Sequence, residues 1–248
     1  MVDKSRRGFW EPEVRNLAAL LAASVLVRAP ALAVPVLIPF AAQCGLSAGR
    51  FFFLQAGFIL AVAAFQSCGG WFADRFGRKT AMVCGAVCLA TAMAGWVGAH
   101  SATQLIVSEA IWAAGTALFF GADAALLRAT LRHADKEDSF ASTLGRISAA
   151  GQAVEVVLLL AGGAVALQFG IRAPFFPALG LLLALCLVCG ALVEIPAQDA
   201  HAERGRRVDL RRAAGLCFRQ DRRLGWLIGF QALLMSFTLA GFWFTTPL

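Results

Sequence analysis

Most polar residues in the first 195 positions fall in short intervals between blocks of Ala, Leu, Val, Phe and Gly, and the blocks are longer than a soluble core requires. The pattern predicts membrane-crossing helices at 15–42, 47–72, 80–99, 103–127, 142–168 and 172–194, with a seventh at 224–246. Each is near or above the ~20 residues that a helix needs to cross ~30 Å of hydrocarbon. The fold class expected is therefore an all-α membrane protein. The first block follows Lys4, Arg6 and Arg7 and has no small-residue cleavage site after a short apolar core, so it does not read as a removable signal peptide.

Composition agrees with the pattern: 59% of the 248 residues are hydrophobic and the mean hydropathy is +0.72. Charge then sets the orientation. Of the 22 Lys and Arg, 19 fall at one set of span ends: Lys4, Arg6, Arg7, Arg15, Arg75, Arg78, Lys79, Arg128, Arg132, Lys136, Arg146 and eight arginines from Arg204 to Arg223. Only Arg50 and Arg172 lie at the other ends, and Arg28 lies within the first span. Such asymmetry places the N-terminus in the cytoplasm and, after seven spans, Leu248 outside. The net charge of +7 is explained by this topology, so no nucleic-acid partner is implied. Trp10, Trp71, Trp96 and Trp226 fall near span ends, where interfacial anchors belong.

Connections are short except at 195–223, a basic stretch in which Val208, Leu210, Leu216 and Phe218 could form an amphipathic segment on the inner leaflet. The expected organisation is a cytoplasmic segment 1–14, a six-helix bundle 15–194, this linker 195–223, and a seventh helix in 224–248. Cysteines carry no chemistry in this reading. Cys84 and Cys88 share the third helix and Cys186-x-x-Cys189 lies on the sixth, but an apolar helix supplies no further ligands and Cys packs there as a small hydrophobe. No metal and no cofactor are expected. An intramembrane enzyme is disfavoured too, since no His lies at a span centre and no Ser-His, His-Glu-x-x-His or paired membrane aspartates occur, so no catalytic residues are assigned.

Between the second and third spans runs Gly70-Trp71-Phe72-Ala73-Asp74-Arg75-Phe76-Gly77-Arg78-Lys79-Thr80, read as a charged loop. Gly70 allows close helix approach, Gly77 can take the positive φ of a tight turn, and Asp74 is an anion able to face a helix N-terminus. Arg75, Arg78 and Lys79 hold the loop on the cytoplasmic side. This segment resembles the signature loop of the major facilitator superfamily of secondary transporters. Arg172-Ala-Pro-Phe-Phe-Pro177, Leu192-Val-Glu-Ile-Pro196 and the long linker echo the same family. Gly121-Ala-Asp-Ala-Ala-Leu-Leu127, followed by Phe140 and Gly145-Arg146, is similar to a bacterial subgroup. The resemblance covers residues 13–248.

The resemblance implies a secondary transporter of a small solute in a bacterial inner membrane, working by alternating access and coupled to a proton or sodium gradient. Such transporters have about twelve spans in two six-helix halves, so a chain ending after its seventh reads as a truncated product, a half that pairs with a second half-transporter, or a homo-oligomer. The alternative is a non-transporting membrane scaffold or regulatory half-transporter. Three departures matter. Glu109 stands where the family's fourth helix has Arg, and Arg128-Ala129 stands where the subgroup has Tyr-Asp. That acid pairs in relatives with the cation corresponding to Arg78, so the latch is missing here or re-formed with Asp123 or Asp135. The antiporter pattern Gly-x-x-x-Gly-Pro is also absent, since Gly162-Gly163 has no Pro.

Charges within hydrocarbon cost roughly 2.5–3.5 kcal/mol each on insertion scales, so each asks for a partner or a cavity. Arg28 lies near the middle of the first helix, Glu155 near the middle of the fifth, Glu109 in the outer third of the fourth and Asp123 in its inner third. By the resemblance, helices one, two, four and five line a central cavity and three and six face lipid. Arg28 and Glu155, at similar depth, are expected to pair and to offer a site for a polar or charged substrate group. Glu109 is the proton-coupling candidate, because a desolvated carboxyl can titrate near neutral pH. Gln55, Gln66 and Gln152 are polar neighbours that could line the cavity.

Overall fold

The computed structural model describes residues 12–195 and, beyond them, only Trp226, Phe230 and Leu233, each helical. The chain divides into two compact units, Met1–Ile195 and Pro196–Leu248. The amphipathic stretch of the linker and most of the expected seventh helix fall outside the described residues. In the second unit Trp226 stacks on Phe230, centroids 5.3 Å apart.

In the first unit, helices α1 (Pro12–Leu26) and α2 (Leu37–Gln43) make up the first expected span, which is not continuous. Between them lie 3-10 turns at Ala29–Leu32 and Val34–Val36, each with a proline at its first or second position. Pro30 and Pro35 remove two backbone donors from the helical ladder and clash with the preceding turn, so the α-helix breaks ahead of them. The remaining elements are α3 (Ala48–Phe76), α4 (Arg78–Val97), α5 (Ala102–Phe119), α6 (Ala122–His133), α7 (Phe140–Phe169) and α8 (Phe175–Ala191). No strand occurs among the described residues. Ser47 and Ser101 cap α3 and α5 by accepting from the N–H groups of Arg50 and Gln104.

Among the described residues five helical stretches are long and apolar enough to cross a membrane: Glu13–Gln43, Ala48–Gln66, Arg78–Val97, Ala102–His133 and Glu137–Phe169. The sixth expected span is shorter than 172–194. Its helix has 17 residues, about 25 Å at 1.5 Å per residue, and residues 192–195 continue without helical structure. The fourth span is broken at Gly121, whose φ of 108° no helix tolerates, so α5 and α6 meet at a corner.

The signature segment is not a loop. α3 runs on to Phe76, Gly77 alone makes the turn with φ 98°, and α4 begins at Arg78. Nor is Gly70 the close-approach glycine: it is exposed, with open space where a Cβ would sit, whereas a Cβ on its buried neighbour Gly69 would collide with the Ala117 carbonyl of α5. α4 is the most enclosed long helix of the unit, packed chiefly on α5 and then on α8, while α3 and α7 leave most of their surface uncovered. The lipid-facing role expected of the third helix therefore fits only its outer side. Close approach explains the enclosure, because Gly85 and Gly115 face one another and a Cβ on either would lie 3.0 Å from the other's carbonyl oxygen.

The end opposite the signature segment is closed by aromatics. Phe40 lies 4.5 Å from Phe175, centroid to centroid, and Trp96 stacks on both at 6.0 Å. Trp96 is thus a buried core residue, unlike the exposed Trp71. Arg172 lies over the Phe40 ring at 5.3 Å and donates to the Ala99 carbonyl at 2.9 Å, tying the start of α8 to the α4–α5 turn.

Candidate functional site

Arg28 stands at the break after α1, where it precedes the first 3-10 turn and its carbonyl accepts from Ala31 N–H at 2.9 Å. Opposite it is α7. Gly151, Glu155 and Gly162 are spaced by four and seven residues and share one face of that helix. A Cβ at Gly151 would lie 2.9 Å from the Ser24 carbonyl, and one at Gly162 would collide with the Leu32 backbone. Two glycines thus draw α7 onto the broken first span, and Glu155 between them meets Arg28: Nη1 donates to Oε2 at 2.9 Å. The pair is half-buried, with side-chain exposures of 30% and 39%. Arg28 Nε is buried without a hydrogen-bond partner among the described residues, so Glu155 satisfies only part of the guanidinium.

Arg28 also lines a cavity of 180 Å³ enclosed by α1, α4, the α5–α6 corner and α7. Its walls include Ser24, Met82, Phe119, Asp123, Leu144 and Ser148. Asp123 accepts from the N–H groups of Gly121 and Ala124 through one oxygen, Oδ1, at 3.0 and 2.7 Å, which holds the α6 N-terminus at the corner. Ser24 donates to the carbonyls of Leu21 and Ile147, at 2.8 and 3.3 Å.

A second polar pair lies between α3 and α5. Glu109 is 7% exposed, and its Oε1 accepts from Gln55 Nε2 at 3.0 Å. Beside it a cavity of 560 Å³ is walled by Leu46, Phe53, Leu54, Phe58 and Ile106, with Arg50 also in its lining. Gln66 and Gln152 are exposed and line neither cavity.

At the basic end the residues of the signature segment take roles other than those expected. The carboxylate at the α4 N-terminus is Glu194, from the chain that follows α8: Oε1 accepts from Arg78 N–H at 2.9 Å and Oε2 from Lys79 N–H at 2.7 Å. Asp74 lies in the last turn of α3, exposed and without a hydrogen-bond or ion-pair partner among the described residues. The first two N–H groups of α4, which begins after the single turn residue Gly77, are already taken by Glu194. Arg78 pairs with neither Asp123 nor Asp135. Asp123 is occupied at the α6 corner, and Arg78 Nη1 donates instead to the Ala125 carbonyl at 3.1 Å. Arg75 lies 5.8 Å above the rings of Trp71 and Phe76.

Sequence reasoning missed two fastenings here. Glu194 was read only as part of a family echo. Asn16 is fully buried, donates to the Val193 carbonyl at 2.9 Å and to Thr130 Oγ1 at 3.3 Å, and accepts from Val193 N–H at 2.8 Å. A lone Asn near the start of an apolar span was the available signal, since hydrocarbon leaves an amide no solvent partner. Arg128, which stands where the subgroup has the Tyr of its Tyr-Asp, and Arg132 both bind Glu137, at 3.0 and 3.1 Å.

Apolar helices of membrane-crossing length, the first of them broken where Arg28 meets Glu155, define a multi-pass membrane protein. A family model described as the Major Facilitator Superfamily matches residues 18–248, and the chain belongs to that superfamily. No curated protein matches the chain.

Proposed function

We propose that this chain carries the solute-binding bundle of a secondary transporter in a bacterial inner membrane, in which the Arg28–Glu155 pair receives a polar group of a small solute and an ion gradient drives alternating access. One observation carries the reading: a charged pair at 2.9 Å, formed where the first span is broken, half-open and with guanidinium donors to spare. A purely structural pair would be expected to satisfy both partners fully, because polar groups away from water are costly to leave unmade. Glu109 is the proposed coupling carboxylate. It is nearly sealed from solvent and bonded to a neutral amide, so a proton or a sodium ion can neutralise it without breaking an ion pair.

The test is uptake into proteoliposomes with an imposed proton or sodium gradient, across a panel of small polar solutes. Uptake is expected to vanish in Arg28→Leu and in Glu155→Leu at equal insertion. In Glu109→Gln it is expected to lose its dependence on the gradient while solute exchange persists. Uptake indifferent to Arg28 and Glu155 would overturn the assignment of the site. Absence of gradient-driven uptake for every solute would favour the non-transporting scaffold.

A further inference from the structure

We infer that the solute is a small zwitterion carrying a carboxylate and an ammonium group, held in the 180 Å³ cavity between Arg28 and Asp123. The inference rests on the reading of Arg28 as part of a solute site and names what that site selects. Among the described residues that line the cavity, Arg28 is the cation and Asp123 the anion, and they are not paired with one another. Each is held by something else and keeps capacity free. Arg28 gives Nη1 to Glu155, and Asp123 takes the two N–H groups of the α6 corner through Oδ1. A guanidinium retains donors in its planar fork for a carboxylate, and the second oxygen of Asp123 can accept from an ammonium group.

The rest of the lining fits a compact solute. Leu20, Val27, Phe119, Phe120 and Leu127 give apolar contact, and Ser148 offers a hydroxyl. A cavity of 180 Å³ has room for a compact solute of a few heavy atoms. Singly charged solutes are selected against. A solute with a carboxylate alone leaves the second oxygen of Asp123 without a donor, and one with an ammonium group alone leaves the spare donors of Arg28 unused, whereas a zwitterion engages both.

The 248-residue chain in lipid nanodiscs, probed by thermal unfolding and equilibrium binding, tests this. The probes are the proteinogenic amino acids, together with the hydroxy acid, amide and N-acetyl counterparts of any that bind. At least one small amino acid is expected to raise the unfolding temperature and to bind about tenfold or more tightly than its singly charged or neutral counterparts. Asp123→Asn keeps the oxygen that caps α6 and removes the charge, so the fold should survive. In that variant the preference for the amino acid over its hydroxy acid should disappear. If no amino acid binds while uptake of another solute still depends on Arg28 and Glu155, the zwitterion class is wrong and the site stands. If an amino acid binds equally well to the doubly substituted Arg28→Leu, Glu155→Leu protein, the site itself is wrong. Equal binding of all charge forms, or an amino-acid preference that persists in Asp123→Asn, also overturns the inference.

Discussion

Glu194 grips the start of α4 at Arg78. One carboxylate oxygen takes the Arg78 N–H at 2.9 Å and the other the Lys79 N–H at 2.7 Å, and the carboxyl group lies against Gly77, the single residue that turns α3 into α4. The chain leaving α8 is thereby fastened to the signature segment by two charge-assisted hydrogen bonds at a helix N-terminus. Because Glu194 is exposed, Glu194→Ala should cost only about 0.5–1 kcal/mol of stability, at the lower end of helix-cap losses. Asp74→Asn, which removes a carboxylate without a partner among the described residues, should cost less. Thermal unfolding of both variants in detergent checks the order, and a larger loss for Asp74→Asn would reverse these roles.

Gly77 combines a φ of 98° with a carboxylate 3.1 Å from where a Cβ would sit. Gly77→Ala should therefore both strain the turn and displace Glu194, destabilising by about 1–3 kcal/mol. In the Glu194→Ala background the steric part should shrink, leaving only the backbone penalty. Thermal unfolding of the two singles and the double gives the coupling. Strict additivity would mean that Glu194 does not press on this turn.

Gly162 and Gly163 are adjacent and chemically identical, yet only at the first would a Cβ run into another segment of the chain. A Cβ at Gly162 collides with the Leu32 backbone, and one at Gly163 meets nothing within 4 Å. Gly162→Ala should force α7 off the broken span at a cost of about 1–3 kcal/mol. Gly163→Ala should be neutral or stabilising by up to about 1 kcal/mol, from helix propensity alone. Equal effects in unfolding measurements would show that α7 does not approach this closely.

The helices were legible because hydrocarbon leaves only one way to satisfy the backbone, so apolar block length translates directly into span position. Pairing of Arg28 with Glu155 was legible for a related reason: two charges of opposite sign at equal depth have few alternatives. Breaks were harder. Pro30 and Pro35 stand in plain view, but prolines are tolerated in membrane helices, and nothing local says whether a span kinks or dissolves into 3-10 turns. Hydrogen-bond assignments at the basic end were least legible. Asp74 and Glu194 are both carboxylates near Gly77, one by sequence and the other by the return of α8, and only tertiary structure decides which reaches the α4 donors.

Orientation can be checked without any transport assay. In a cysteine-free background, a cysteine placed at Ser47 or His100 should react with a membrane-impermeant maleimide in intact cells, since both residues are exposed at turns of the sparsely charged end. One placed at Asp138, in the exposed turn that follows the Arg128 and Arg132 side chains, should react only after permeabilisation. The reverse pattern would invert the map and move the signature segment outside.

The Arg28–Glu155 pair makes the sharpest energetic prediction. Removing one partner leaves the other charged and only half-exposed in a span, which in comparable buried pairs costs about 3–5 kcal/mol; the 30% and 39% side-chain exposures reduce this to about 2–4 kcal/mol. Arg28→Leu and Glu155→Leu should each show that loss in thermal or denaturant unfolding. The double substitution should recover most of it, because neither charge then lacks a partner and both leucines suit the apolar surroundings. Since Gly151 brings α7 onto α1 and Gly162 brings it onto the 3-10 turn at Leu32, independently of the charges, the contact of α7 with the first span should persist in the double variant. Recovery of stability without recovery of uptake would separate the two roles of the pair, one in folding and one in receiving solute. Losses that simply add would show that the two residues are not energetically coupled despite their 2.9 Å separation.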